Sequence, residues 1–223
     1  MITKMKIEQK SPLLNILVIG ANGGIGRQTI FVALNAGYRV TALLRNPANL
    51  TLTHENLQIV KGDILQPESF EKHLANQDAI ISAIGEKNRE PTTLYSDGNR
   101  NLLHAMRKKG VKRAFFISAS AIEISPVQPF IIRLVTRFIV QKLFGNGYAD
   151  QRIMEKLVKE SEINYTIMRP PRLTDTPATG KYRFAINGFL KNCLKISRAD
   201  VAHFMINNIG NEAAYRSIIE IAY

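Results

Sequence analysis

The stretch LLNILVIGANGGIGRQTI, Leu13–Ile30, carries the reading of this chain. An apolar run, Leu14–Ile19, leads straight into Gly20, Gly23 and Gly26, and a helix-like segment follows that ends near Gly37. In a strand–turn–helix unit of this kind the first glycine permits a tight turn. The second lets the backbone approach a pyrophosphate, and the third lets helix and strand pack closely. The helix start then offers N–H groups and a partial positive charge to an anion. Three glycines alone are weak evidence; between a strand and a helix they point to a dinucleotide phosphate site.

Outward from this unit, apolar runs alternate with helical patterns, the mark of repeated βαβ units. Strands are predicted at Asn15–Ile19, Arg39–Leu44, Gln58–Lys61, Ala79–Ala83, Ala114–Ser118, Tyr165–Met168 and Ser217–Ile221. Runs such as AIISAIG, Ala79–Gly85, are nearly continuous in apolar residues, as suits parallel strands covered on both faces. Helices are predicted between them, one starting at Pro67 and the last opening on a capping box, Ser197-x-x-Asp200. No repeat, low-complexity tract or Pro/Gly linker divides the chain. The expected fold is therefore a doubly wound α/β parallel sheet with helices on both faces, in one domain over residues 1–223.

One segment interrupts the alternation. PVQPFIIRLVTRFIVQKLFG, Pro126–Gly145, is very apolar, with Arg133, Arg137 and Gln141 spaced four apart as a polar stripe on a helix. Two readings fit the insertion at 126–147: a helix packed on the body, or a lid, a subunit interface or an interfacial membrane helix.

The net charge is +12, from 30 basic and 18 acidic residues. Between Gly98 and Ala149 nine residues are basic and only Glu123 is acidic. Such a surface attracts anions, but no nucleic-acid motif accompanies it, and a solvated basic face is the simpler reading. Lys4, Lys6 and Lys10 before Leu13–Ile19 imitate a signal peptide. That apolar stretch is short and runs into the glycine turn without a small-residue cleavage pattern, so it is read as the first strand. Nothing is long and apolar enough to span a bilayer. The single cysteine, Cys193, excludes an internal disulfide and reads as a packed apolar residue in a reducing, cytoplasmic setting. His54, His73, His104 and His203 are scattered, without metal-ligand spacing, and no metal is expected.

Arg45 ends the second strand, 19 positions after Gly26. An acidic residue there would hold the ribose 2′-OH of NAD, whereas an Arg accommodates the 2′-phosphate of NADP. No acidic residue occurs from Gly37 to Thr53, so NADP(H) is expected in preference to NAD(H). Asp63 after the third strand could accept from an adenine amino group or cap the next turn. Gly85 could let backbone lie against a cofactor or serve a turn. Ser118, at the end of the fifth strand, stands where ligands of open parallel sheets bind, or caps the strand end.

These motifs together resemble an atypical short-chain dehydrogenase/reductase, in the NAD(P)H-binding group that includes NmrA-like and biliverdin reductase B/flavin reductase-like proteins. The residues that carry the resemblance are GANGGIG, LLRNP, KGDIL, ISAIG, PTTLYSDGNRNLLHAM, FFISASA, NYTIMRPPRLTDTPATGKYR and ISRADVAHFM, spread over nearly the whole chain. It implies a cofactor across Gly20, Asn22, Gly23, Gly24, Ile25, Gly26, Arg45, Asp63, Ile64, Ala83, Ile84, Gly85 and Ser118. Pro170, Pro171 and Leu173 would lie near the nicotinamide. The larger superfamily uses Tyr-x-x-x-Lys, whose Lys lowers the tyrosine pKa from about 10. Here Tyr148 is followed at the fourth position by Arg152, which could favour a phenolate but cannot copy a lysine's contacts. Gln151 stands where related proteins carry Lys or His, and Arg172 where flavin-reductase relatives carry His. Ser118 and Tyr148 are the candidate catalytic residues, Gln151 and Arg172 the candidate substrate contacts. The expected activity is hydride transfer from NADPH to a small planar acceptor such as a flavin, quinone or tetrapyrrole. The alternative is a non-catalytic NADP(H)-binding sensor of NmrA-like type. A small-molecule acceptor, no nucleic acid, and a monomer or homodimer are expected.

Overall fold

The computed structural model describes residues 13–86 and 89–223; Lys4, Lys6 and Lys10 lie outside them. The predicted strands form with boundaries shifted by a residue or two: β1 Asn15–Ile19, β2 Arg39–Leu44, β3 Leu57–Lys61, β4 Ala79–Ser82, β5 Arg113–Ile117 and β6 Asn164–Arg169. Three short strands follow that the sequence pattern does not announce, β7 Arg172–Thr174, β8 Arg183–Ile186 and β9 Lys195–Ser197, and then the predicted β10 Ser217–Ala222. Helices are α1 Gly24–Asn35, α2 Pro67–Phe70, α3 Leu94–Lys109, α4 Phe130–Val135, α5 Gln141–Leu143, α6 Gly145–Glu160 and α7 Arg198–Asn207.

Among the described residues one sheet of eight strands runs β3-β2-β1-β4-β5-β6-β10-β8. Every neighbouring pair in it is parallel except β10 with β8. β7 and β9 form a separate parallel pair. The chain winds one way from β1 to β3 and the other way from β4 onward, so the order reverses between β1 and β4. The doubly wound α/β architecture is thus the observed one.

The strand period of two explains both layers. Ile16 and Val18 belong to one buried apolar cluster with Ile30 and Ala33 of α1 and Val201, Phe204 and Met205 of α7. Their neighbours Leu17 and Ile19 belong to the opposite cluster, with Leu102 and Met106 of α3 and Met154 and Val158 of α6. Strands buried on both faces read as unbroken apolar runs for this reason. α3 ends at Gly110, whose φ of +74° suits a left-handed cap, with Arg107, Lys108 and Lys109 in the last turn complementing the helix dipole.

One expectation is corrected. Arg113 is not part of a solvated basic face. It is buried, donates to the carbonyls of Ile209, Asn208 and Asn164 and to Thr166 Oγ1, and lies over the rings of Phe115 and Tyr215. Burial lowers its pKa to about 10. The Pro126–Gly145 segment lies on the surface, with a half-buried inner face formed by Ile132, Thr136, Val140 and Gln141. α4, a π-helical turn at Thr136–Val140 and α5 form one helical run in which no residue from 126 to 149 is buried.

Candidate functional site

The reversal between β1 and β4 leaves a cleft beyond the carboxyl ends of β1, β2, β4 and β5. Its volume is about 720 Å³, within the ~300–1,000 Å³ usual for small-molecule sites. Of the residues singled out from sequence, the fold brings Gly20, Asn22, Gly23, Gly24, Ile25, Arg45, Asp63, Ile64, Ala83, Ile84, Gly85, Ser118, Gln151 and Leu173 to its walls.

The glycine turn is shaped by close backbone approach. Gly20 has φ +77°, and a Cβ there would stand 2.4 Å from the Ala83 carbonyl oxygen of the neighbouring β4 end. Gly26 faces away from the cleft. A Cβ on it would stand 2.3 Å from the Gly20 carbonyl oxygen, so it sets how closely α1 approaches β1. The Gly23 N–H donates to Gly20 O at 2.9 Å and closes the turn. α1 has no side-chain cap and no acidic residue in its first turn, so its positive end is presented to the cleft.

Arg45 is exposed at the end of β2, beside Asn46 and Asn49 on the same wall. Asn46 caps the short 3-10 turn Pro47–Asn49 by accepting from the Ala48 N–H. Arg27 donates to Asn22 and to the Asn49 carbonyl, tying this turn to the glycine turn. Asp63 Oδ1 accepts from the Leu65 N–H at 3.0 Å, the turn-capping use, while the residue also lines the cleft.

At the far end, Ser118 and Gln151 are both buried. Among the described residues Ser118 Oγ and Gln151 Oε1 have no hydrogen-bond partner. Tyr95 joins them from α3. Its hydroxyl accepts from the Glu86 N–H at 3.0 Å and the Gln151 side chain lies beside it. Burial raises the Tyr95 pKa, which keeps the phenol protonated. The placement of Tyr95 depends on Asp150, a buried carboxylate of α6 that accepts from the Tyr95 N–H at 2.7 Å and from the Ser96 N–H.

Tyr148, Pro170, Pro171 and Arg172 do not line the cleft. Tyr148 packs near Phe144, and burial raises its pKa, opposite to the lowering that a basic neighbour would bring. Arg152 does not supply that neighbour: its Nη2 donates to the Ile122 carbonyl at 2.6 Å. The Pro170 carbonyl accepts from the Ser120 N–H, and Arg172 is exposed on β7. Cys193 is half-buried, and burial pushes its thiol up to about 12, as suits a packed residue.

Sequence reading assigned no role to Tyr95 or Arg198. Arg198, the first residue of α7, pairs with Asp175 at 2.7 Å and lies across the start of α1. A Cβ on Gly24 would meet Arg198 Cδ at 2.4 Å. Both residues sit inside motifs that carried the resemblance, PTTLYSDGN and ISRADV, but their distance along the chain from the glycine turn hides the proximity.

Among the described residues no helix is long and apolar enough to cross a membrane. The Photosystem II assembly factor Ycf39 of Cyanophora paradoxa is 30% identical over 161 residues, covering 70% of this chain and 44% of that protein. The divinyl chlorophyllide a 8-vinyl-reductase of Arabidopsis thaliana is 23% identical over 244 residues, covering 98% of this chain and 56% of that protein. The chain spans less than half the length of the Ycf39 proteins it matches. Among solved structures, ChuY, an anaerobilin reductase from Escherichia coli O157:H7, superposes with a TM-score of 0.75 at 21% identity, over 93% of this chain and 96% of that one. The sequence pattern of NAD(P)H-binding proteins matches residues 20–212, from the glycine turn to the approach of the last strand, and the chain belongs to that family.

Proposed function

We propose that the cleft binds NADPH and that the protein is a reductase passing hydride to a small planar, carbonyl-bearing acceptor held at Ser118, Gln151 and Tyr95. The observation that carries this reading is the pair of buried oxygens without partners among the described residues, Ser118 Oγ and Gln151 Oε1, on one cleft wall. An unpaired buried polar group costs on the order of 1–3 kcal/mol, so two of them together are accounted for by a ligand that completes their hydrogen bonds. The glycine turn and the uncapped start of α1 suit a diphosphate, with Arg198 close by. Arg45 suits a 2′-phosphate, Asp63 and Ile64 an adenine, and Ala83–Gly85 and Leu173 the remainder of the cofactor.

The bound cofactor supplies the hydride itself. The protein's share is orientation and donation. Ser118 and the neutral Tyr95 phenol are hydrogen-bond donors for an acceptor oxygen on which negative charge develops. Tyr95 takes the part that Tyr148 was expected to play, but without a lowered pKa: its phenol passes a proton to the acceptor oxygen and is reprotonated from solvent. The relative named for vinyl reduction favours a tetrapyrrole-like acceptor. A second reading rests on the absent lysine of the superfamily motif: Arg152 stands at the fourth position after Tyr148, and Tyr148 is off the cleft. That favours a protein that binds NADP(H) without turnover.

Two measurements test this. Titration of NADPH and NADH into wild type and Arg45→Ala should show NADPH weakened by roughly 10–100-fold and NADH little changed, the loss of a charge-assisted contact. Equal weakening of both removes the 2′-phosphate assignment. NADPH oxidation is then followed with flavins, quinones and a bilin. Tight NADPH binding without oxidation by any of them selects the sensor.

A further inference from the structure

The helical run Phe130–Phe144 is amphipathic in the reverse of the usual sense. Phe130, Ile131, Phe138 and Ile139 are 68%, 71%, 62% and 59% exposed, and Leu134 and Val135 between them are exposed too. Spacings of one, three and four put these six side chains on one outward arc. The inward face is Ile132, Thr136, Val140 and Gln141, all half-buried. Ile132 and Thr136 border a small polar cavity with Ser120 and Glu220, and Gln141 Nε2 donates to the Ala121 carbonyl at 2.9 Å. Polar anchoring on the inside and large apolar groups on the outside are an arrangement for contact with something apolar beyond the molecule.

The charge around the arc says what that is. Arg133, Arg137 and Lys142 are exposed along the same run, and no acidic residue lies between Glu123 and Asp150. The Arg89 guanidinium stands 5.3 Å from the Phe144 ring centroid, adding a further cation at its end. A second copy of this face would bring like charges against like, which is unfavourable at an apolar contact. An anionic bilayer surface satisfies both features, taking the apolar side chains between its headgroups and the cations against them. The helical part, Phe130–Leu143, is about 21 Å long at 1.5 Å per residue, too short for the ~30 Å hydrocarbon core, so it would lie in the surface rather than cross.

We propose that the outward face of Phe130–Phe144 docks the protein on anionic lipid membranes. It follows β5, which ends beside Ser118, and leads into α6, which carries Gln151, so the docked face and the cleft share one end of the sheet. The proposal does not depend on the activity of the cleft.

The test is co-sedimentation of the full chain with sucrose-loaded vesicles of phosphatidylcholine alone and of phosphatidylcholine mixed with phosphatidylglycerol. Binding to the mixed vesicles should exceed binding to the neutral ones by at least about tenfold and weaken as salt is raised. The variant Ile131→Ser/Phe138→Ser/Ile139→Ser should lose it, and Arg133→Gln/Arg137→Gln should weaken it. All five side chains are exposed, so retained NADPH binding and circular dichroism control for folding. Absence of binding to the mixed vesicles, equal binding to both kinds, or binding unchanged in the apolar variant each overturns the proposal. So does a wild-type dimer in light scattering that the apolar variant converts to monomer.

Discussion

Gly26 shows how much a single missing side chain does in this fold. It touches no part of the cleft, yet the Gly20 carbonyl lies where its Cβ would be. Gly26→Ala must push α1 away from β1, and because the obstacle is backbone it cannot swing aside. Overpacking of this kind costs about 1–3 kcal/mol or more. The expected result is a lower urea midpoint at unchanged m-value, together with weaker NADPH binding as the α1 start moves off its aim. An alanine variant with wild-type stability would mean the turn has slack that the geometry denies. The role of Gly26 was legible from spacing alone, because a strand–turn–helix unit is a local structure. Tyr95 was not, because it reaches the cleft through Asp150, 55 residues away.

The α3–α6 pair is the element that builds the Ser118 end of the cleft. Thr93, the residue before α3, makes no side-chain cap. The cap comes from Asp150 of α6, whose carboxylate accepts from the Tyr95 and Ser96 N–H groups in the first turn of α3. Two helices are thereby locked in register, and Tyr95 and Gln151 are brought side by side. Asp150→Ala should cost about 1–3 kcal/mol, since it strands buried N–H donors. Asp150→Asn keeps one acceptor oxygen and should cost less. Denaturation of both variants checks the order, and equal loss would remove the capping role. Helix faces were readable from periodicity, but a cap contributed by another helix leaves no mark in the helix it caps. The Phe130–Phe144 run makes the same point in reverse. Its periodicity identified the stripe, while its inward turn follows from anchoring by Gln141 rather than from apolar packing.

Across the whole molecule, Asp200 ties together parts distant in sequence. Its carboxylate accepts from the Tyr223 hydroxyl at 2.6 Å, from the Thr179 and Gly180 N–H groups at 2.9 and 2.8 Å, and from Ser197 Oγ. Half of the predicted capping box forms: Ser197 Oγ accepts from the Asp200 N–H, while the Ser197 N–H donates to the Tyr223 hydroxyl instead. Burial alone would raise the Asp200 pKa. The donors Tyr223, Gly180 and Thr179 more than offset it, and the group is held below the ordinary 3.8. A carboxylate depressed in the folded state adds stability above its unfolded pKa, and that stability is lost as pH falls through the folded value. Asp200→Asn should therefore be less stable than wild type at pH 7, by on the order of 2 kcal/mol for charged hydrogen bonds lost. The gap should narrow only as pH falls below about 3.8. Urea unfolding of both proteins across the acid range measures it; a gap independent of pH would assign the effect to shape rather than charge.

The order of residues is enough to dictate the parallel strands, the glycine turn and the strand-end positions of Arg45, Asp63 and Ser118. Each rests on a local period or on a fixed distance from the glycines, and local backbone preferences act before the chain has closed on itself. β7, β8 and β9 are short and partly exposed, too slight to show as patterns, and form because distant segments meet. Arg198 over Gly24, Tyr95 beside Gln151, the withdrawal of Tyr148 and the outward turn of the apolar run have the same origin. They are consequences of which surfaces meet when the sheet is wound from both sides, and the burial that rewards such meetings exists only in the folded chain.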